Sequence, residues 1–290
     1  MRDFIGGIAG DIIGSVYEWN NVRRLIDIEL FAKTCRATDD TVLTCAVAEW
    51  LMAHKTENLS EEDSLKKLSE MLLKYGKAHP HAGYGHMFRD WMNEGGTKPM
   101  GSFGNGAGMR VSPVGFIAES EEECLKLAEM SAKVTHDHPE GIKGAQAIAL
   151  SIYMARNGKT KDEIKKEIEE RFGYDLEKKL TDIVHFYCDD WTNYVLERTH
   201  KFDATCQVTV PEAIIAFLEG DSYKQVIYKA LLIGGDSDTI ADMAGAIAGA
   251  YYGVPDDIAE KALSVLPDDL RDTVNKFEKF MFDKHNVNEA

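Results

Sequence analysis

Gly6, Gly10 and Gly14 recur every fourth residue through an otherwise apolar stretch, residues 4–16. That spacing puts them on one face of a helix, as a ridge without side chains that a neighbouring helix can approach closely. Glycine costs about 1 kcal/mol relative to alanine at an interior helical position. Three in one helix therefore require a compensation, such as tight packing or close approach of a ligand. A glycine-rich loop is the competing reading of the same letters. The pattern returns near the other end of the chain at Ala241, Gly245 and Gly249. Two such ridged helices are expected deep in the molecule, close to other helices and to the residues at their ends.

Runs of alternating β-branched residues bounded by turns are scarce, whereas helical periodicity is frequent. Leu65, Leu68, Leu72 and Leu73 recur at helical spacing within residues 60–75, behind a capping Ser60 with Asp63 three positions on. Residues 121–134, 144–156, 161–172, 205–218, 223–233 and 256–282 read as further helices, with Pro211 placed at a helix start. The expectation is an all-α fold forming a single domain over residues 1–290, with no linker and no solenoid repeat.

A hydrophobic content of 44% suffices for a sizeable core, and the formal charge of −16 argues against gripping bare nucleic acid or an anionic membrane. No run reaches membrane-spanning length. Cys35, Cys45, Cys124, Cys188 and Cys206 are odd in number and widely spaced, which reads as reduced thiols in a cytoplasm. The first residues lack a signal-peptide layout, so a cytoplasmic location is expected. An anionic substrate would need help from metal ions, helix N-termini or backbone amides.

Gly234-Gly-Asp-Ser-Asp-Thr239 opens the second ridged helix. Asp236 and Asp238, two residues apart, can face one centre only if something offsets their repulsion, and a hard divalent ion does so. The plain alternative is an N-cap, in which the same residues satisfy free amides of the first turn. Thr38, Asp39, Asp40 and Thr41 repeat this chemistry at the start of another helical run. Capping alone does not explain two such clusters, and together they supply the oxygens that one or two octahedral ions want. Without histidine or cysteine nearby in sequence, the set favours Mg²⁺, Mn²⁺ or Ca²⁺ over zinc.

Other stretches are less specific. Residues 79–86 hold three histidines in a Pro/Gly-rich loop, more a loop than a zinc site. Gly101-Ser-Phe-Gly-Asn-Gly-Ala-Gly-Met-Arg110 can expose successive amides as an anion nest, or be a flexible loop; it fits neither a Walker A nor a dinucleotide pattern. His136 and His138, after the helix at 121–134, read equally as ligand or substrate contacts and as packed or capping residues.

Five ordered motifs resemble the ADP-ribosylglycohydrolase family, which includes dinitrogenase reductase activating glycohydrolase and the ADP-ribosyl-acceptor hydrolases. They are Gly10-Asp-Ile-Ile-Gly-Ser-Val-Tyr-Glu18, Thr38-Asp-Asp-Thr41, the glycine-rich stretch 101–110, Thr135-His136 and Gly234-Gly-Asp-Ser-Asp-Thr239. The resemblance implies a compact orthogonal multi-helix domain with a dinuclear centre of Mg²⁺ or Mn²⁺ at the base of a cleft. It implies Thr38, Asp39, Asp40, Asp236, Asp238 and Thr239 as metal ligands, with Asp238 bridging. Glu18 would close on the metals or substrate; with Asp39 and Asp40 it makes up the candidate catalytic set. Ser102, Phe103, Gly104, Asn105 and Gly106 would line the pyrophosphate and ribose, with His136 nearby. The implied reaction is hydrolysis of the bond between ADP-ribose and an acceptor side chain of a protein. The alternatives are a same-fold hydrolase of a small ADP-ribosyl or nucleoside compound, and a non-catalytic ADP-ribose-binding protein. Acceptor linkage and oligomeric state are not encoded in these motifs.

Overall fold

The computed structural model describes residues 2–22, 27–57, 59–183 and 202–288. They form helices joined by turns and loops; the sole extended pairing among them is an isolated antiparallel bridge between Gly104 and Thr205. Cys188 lies outside the described residues, and the other four cysteines are free thiols. No described helix is long and apolar enough to cross a membrane.

At the centre, α1 (Ile5–Gly14) lies against α12 (Ser237–Tyr252), the most extensive contact between any two described helices. Every residue of α1 is buried. The two small-residue ridges face each other. A Cβ added to Gly6 would sit 2.5 Å from the Gly245 carbonyl oxygen, and one added to Gly10 would sit 2.1 Å from that of Ala241. Gly14 would place its Cβ 2.5 Å from the Cα of Asp238. Backbone therefore rests on backbone along the whole length of α1. Here is the compensation that interior glycines require: carbonyls and Cα–H groups meet directly, and the acidic N-terminus of α12 is laid on the end of α1.

Around this pair stand α2 (Asp39–Glu57), α8 (Pro139–Arg156), α10 (Cys206–Glu219) and α11 (Tyr223–Ile233), each largely buried on the inward side. Tyr223 reaches in from α11 to donate its hydroxyl to the Gly6 carbonyl at 2.6 Å. The outer helices α3 (Glu61–Ala78), α7 (Glu121–Lys133) and α9 (Lys161–Phe172) carry the amphipathic pattern expected of a surface layer. Ser60 caps α3 by accepting from the Asp63 amide, as its sequence suggests. Pro211 departs from expectation. It lies inside α10 rather than at its start, because Cys206 N donates to the Phe103 carbonyl and the helix begins there.

Candidate metal centre and substrate cleft

The start of α12 brings Asp236, Asp238 and Thr239 beside α1, and the start of α2 brings Thr38 and Asp40 to the same place. Asp11, in the middle of α1, ties the two together. Its Oδ2 accepts from the amides of Thr38 at 3.0 Å and Thr41 at 3.2 Å and from the Thr41 hydroxyl, and its Oδ1 accepts from the Thr38 hydroxyl at 2.7 Å. An acid from one helix thus satisfies the free amides at the N-terminus of another.

The carboxylates fall into two sets of three, Asp11 with Asp40 and Asp238, and Glu18 with Asp236 and Asp238. Within each set the facing oxygens all lie within 4.8 Å of one another. Asp238 belongs to both. Asp236 occupies the N-cap position of α12 but makes no side-chain capping bond. Its Oδ2 instead accepts from Asn105 Nδ2 at 2.6 Å. The pure capping reading of this acid therefore fails at Asp236. Asp39 lines the same cavity from a different side, close to Gly83, and stands outside both sets.

Such crowding without an offsetting charge shows in the protonation of the acids. Burial, then Asp11 and Asp238, holds the Asp40 carboxyl well above its ordinary range; burial, then Asp236, does the same at Asp238. Burial and the Asp11 charge push Asp39 up to about 8, and burial with Asp236 pushes Glu18 up to about 7. Asp40 Oδ1 is buried with no hydrogen-bond partner. A largely buried, oxygen-only set crowded with like charges, with an unpartnered oxygen at Asp40, is one that a hard divalent cation fits.

Glu18, Asp39, Asp40, Asp236 and Asp238 line a cavity of about 380 Å³, and Asp11 lies outside its lining. Its walls include Ser102, Gly104, Asn105, Gly106 and His136, so the glycine-rich stretch and the acidic clusters face one space. Phe103 is the exception: it does not line the cavity, is half exposed, and meets the His138 ring edge-on at 5.3 Å. His138 caps α8 through its side chain, which settles its capping reading. His79 pairs with Asp269 at 2.8 Å, and no described group of metal-ligating side chains includes it.

Comparison with known proteins shows the family. A model of the ADP-ribosylglycohydrolase family matches residues 4–287. The chain belongs to the ADP-ribosylglycohydrolase family. It is 28% identical to ADP-ribosylhydrolase ARH3 of Gallus gallus over 86% of this chain and 83% of that protein. It is 24% identical to ADP-ribosyl-[dinitrogen reductase] glycohydrolase of Rhodospirillum rubrum over 91% of this chain and 88% of that one. Among solved structures, an ADP-ribosylglycohydrolase-related protein complex superposes with a TM-score of 0.66 at 21% identity, covering 97% of this chain and 96% of that one, which shows the shared fold.

Several residues of the site have no role assigned by sequence reasoning. Asp11 was visible as the charge inside an apolar glycine helix. Asp242, one turn beyond Asp238, is fully buried with neither carboxylate oxygen hydrogen-bonded. Trp19 follows Glu18 and stacks on Phe202 at 4.9 Å, both rings lining the cavity.

Proposed function

We propose that the chain hydrolyses the glycosidic bond between ADP-ribose and an acceptor side chain of a modified protein, with two divalent cations, Mg²⁺ or Mn²⁺. The observation that carries the proposal is the pair of carboxylate sets sharing Asp238 on the floor of the cavity that the glycine-rich stretch walls. Asp40 and Asp238 with Asp11 would hold one ion, and Glu18, Asp236 and Asp238 the other, with Thr38 and Thr239 adding hydroxyl oxygens. Bound there, such ions supply Lewis-acid charge and an acidified water for attack at the anomeric carbon.

The chain's own groups do the rest. Asn105 orients Asp236 through its amide. Thr38, 3.1 Å from Asp40 Oδ2, and Asp11 orient Asp40. Glu18, Asp39 and Asp40 are the candidates to take the proton of the attacking water. Burial and neighbouring carboxylates raise all three in the metal-free chain, and beside a bound divalent cation they would fall again into the ionised form a base requires. The amides of Gly104 and Asn105 are already given to the Ser102 hydroxyl and the Ala204 carbonyl. From the stretch Ser102 to Gly106 it is therefore the Ser102 hydroxyl, together with His136, that would donate to ribose and pyrophosphate oxygens. The relatives named for ADP-ribosyl hydrolysis support the substrate class, and the cytoplasmic location expected from the free thiols is kept as part of the proposal.

The test is release of ADP-ribose from arginine-, serine- and carboxyl-linked substrates with Mg²⁺ or Mn²⁺. Turnover of one linkage, lost in chelator and in Asp238→Asn, is expected. Full activity in excess chelator, or in Asp238→Asn, would overturn the metal scheme.

A further inference from the structure

Arg110 closes the glycine-rich stretch, is fully buried, and makes no ion pair with a carboxylate among the described residues; its Nε and Nη1 have no hydrogen-bond partner. Its Nη2 donates to the Ser131 carbonyl at 2.8 Å and to the Thr135 hydroxyl at 2.6 Å. The first contact places the cation on a carbonyl in the last turn of α7, where the helix dipole is negative. The Thr135 oxygen in turn lies 2.8 Å from Nδ1 of His136.

Counting protons settles the direction of this chain. A guanidinium only donates, so one lone pair of the Thr135 oxygen is taken by Arg110. The threonine has a single proton, is itself fully buried, and has no other acceptor than His136 Nδ1 among the described residues. Leaving that proton unused would strand a buried donor at a cost of about 1–3 kcal/mol. Nδ1 is therefore the acceptor, and in a neutral imidazole the remaining hydrogen must sit on Nε2. Nε2 faces the cavity against the glycine-rich stretch: a Cβ on Gly106 would be 2.9 Å from it, and one on Gly104 would be 3.8 Å. The histidine also stays neutral, since burial and the Arg110 charge both hold it well below its ordinary range.

We infer that Arg110 and Thr135 are positioning residues that lock His136 as a neutral Nε2–H donor, so that it binds an anionic or hydroxyl oxygen of the ligand and transfers no proton. From the wall that the glycine-rich stretch shares, His136 then offers a hydrogen-bond donor to a phosphate or ribose oxygen. Recognition and proton transfer thereby fall to different side chains, and the histidine belongs to the first. The ligand side of this inference rests on the ADP-ribosyl reading of the cavity.

The tautomer can be read without substrate. In protein carrying ¹⁵N-histidine with saturating Mg²⁺, long-range ¹H–¹⁵N spectra, with His136 assigned by its loss in His136→Asn, should show an unprotonated Nδ1 and a protonated Nε2 unchanged from pH 5 to pH 8. Thr135→Val should mix the tautomers, and Thr135→Ser should restore the wild-type pattern. Calorimetry with ADP-ribose should give a Kd raised about tenfold in Thr135→Val and unchanged in Thr135→Ser, as for loss of one hydrogen bond to a charged group. A wild-type spectrum with the proton on Nδ1, or a His136 that titrates in this range, overturns the relay whether or not either variant folds. An unchanged Kd in a folded Thr135→Val overturns the donor role. The expected spectra with no ADP-ribose binding by the wild-type protein would uphold the relay and refute the substrate reading instead.

Discussion

Gly14→Ala sets helix propensity against packing at the point where the acid cluster is assembled. By propensity alone the change should stabilise α1 by about 1 kcal/mol. The new Cβ, however, would lie 2.5 Å from the Asp238 Cα, 2.7 Å from the Ser237 carbonyl oxygen and 2.8 Å from the Asp238 amide nitrogen. All three are backbone atoms with no rotamer to yield. Ordinary contact begins near 3.4 Å, so the first turn of α12 must retreat by about 1 Å. Overpacking of this kind costs about 1–3 kcal/mol, which outweighs the propensity gain and leaves a net loss of about 1 kcal/mol. The retreat also carries Asp238, the acid shared by both sets, away from Asp11. A cation at 100 times its Kd stabilises the native state by about 2.7 kcal/mol, worth about 5 °C in a chain of this size. A tenfold weaker site gives up about 1.4 kcal/mol of that, or about 3 °C. Gly249→Ala is the control. Its Cβ meets the Asp3 carbonyl oxygen at the same 2.5 Å, but at the far end of the ridge. Thermal unfolding with Mn²⁺ and with chelator should show both variants destabilised and only Gly14→Ala with a reduced Mn²⁺ shift. Equal Mn²⁺ shifts in the two variants, or a Gly14→Ala as stable as the parent chain, would refute the argument.

Three further outcomes follow from the same geometry. Asp39 and Glu18 keep their protons in the folded chain up to about 8 and about 7, against 3.8 and 4.5 when unperturbed. Between those values the unfolded chain ionises first and is favoured, so the metal-free protein should lose stability as pH rises from about 4 to 8, at up to about 1.4 kcal/mol per pH unit for Asp39 and less for the partly exposed, solvent-screened Glu18. Urea unfolding in chelator checks this, and a stability that climbs over that range contradicts it; saturating Mg²⁺ should flatten the slope. Asp242→Asn should raise stability in chelator by about 1 kcal/mol or more at pH 8, because burial and Asp11 raise the Asp242 carboxyl well above its range and the folded parent must there hold a proton that the unfolded chain has lost, or bury an unpartnered charge; it should have little effect near pH 4. A loss at both pH values would mean that the carboxylate is partnered. Trp19→Ala removes the ring that stacks on Phe202 and lines the cavity, so KM should rise up to about tenfold while the Mn²⁺ shift persists; an unchanged KM would remove Trp19 from the substrate wall.

Much of this architecture was legible in the sequence because its signals are local. Glycine spacing marks a face, and Gly6, Gly10 and Gly14 do meet the second ridge. Hydroxyl and acid side chains at two helix starts mark a cluster, and Thr38, Asp40, Asp236, Asp238 and Thr239 do converge. Failures occurred where the deciding contact was not local. Pro211 reads as a helix start, yet the true start is set by Cys206 bonding to the Phe103 carbonyl, about a hundred residues earlier. Phe103 reads as part of a ligand loop, yet its ring turns to His138.

Asp11 and Asp242 show the limit most clearly, because each is an acid on a buried, glycine-rich helix and only the pairing of the two helices gives either a meaning. Asp11 is surrounded by donors from Thr38 and Thr41, so its charge is spent on holding α2 in place while its oxygens still reach Asp40 and Asp238. Asp242 has no such donors, and its Oδ1 would lie 2.8 Å from a Cβ on Gly7. Each therefore depends on the close approach of α1 and α12, one as the fastener of the acidic floor and the other as a buried charge that raises the Asp40 carboxyl further. A helix pair held apart by ordinary side chains could carry neither. The glycine ridge is thus a condition of the site's electrostatics as well as of its packing, since the spacing that removes side chains from the contact also brings the acids of the two helices into one another's field.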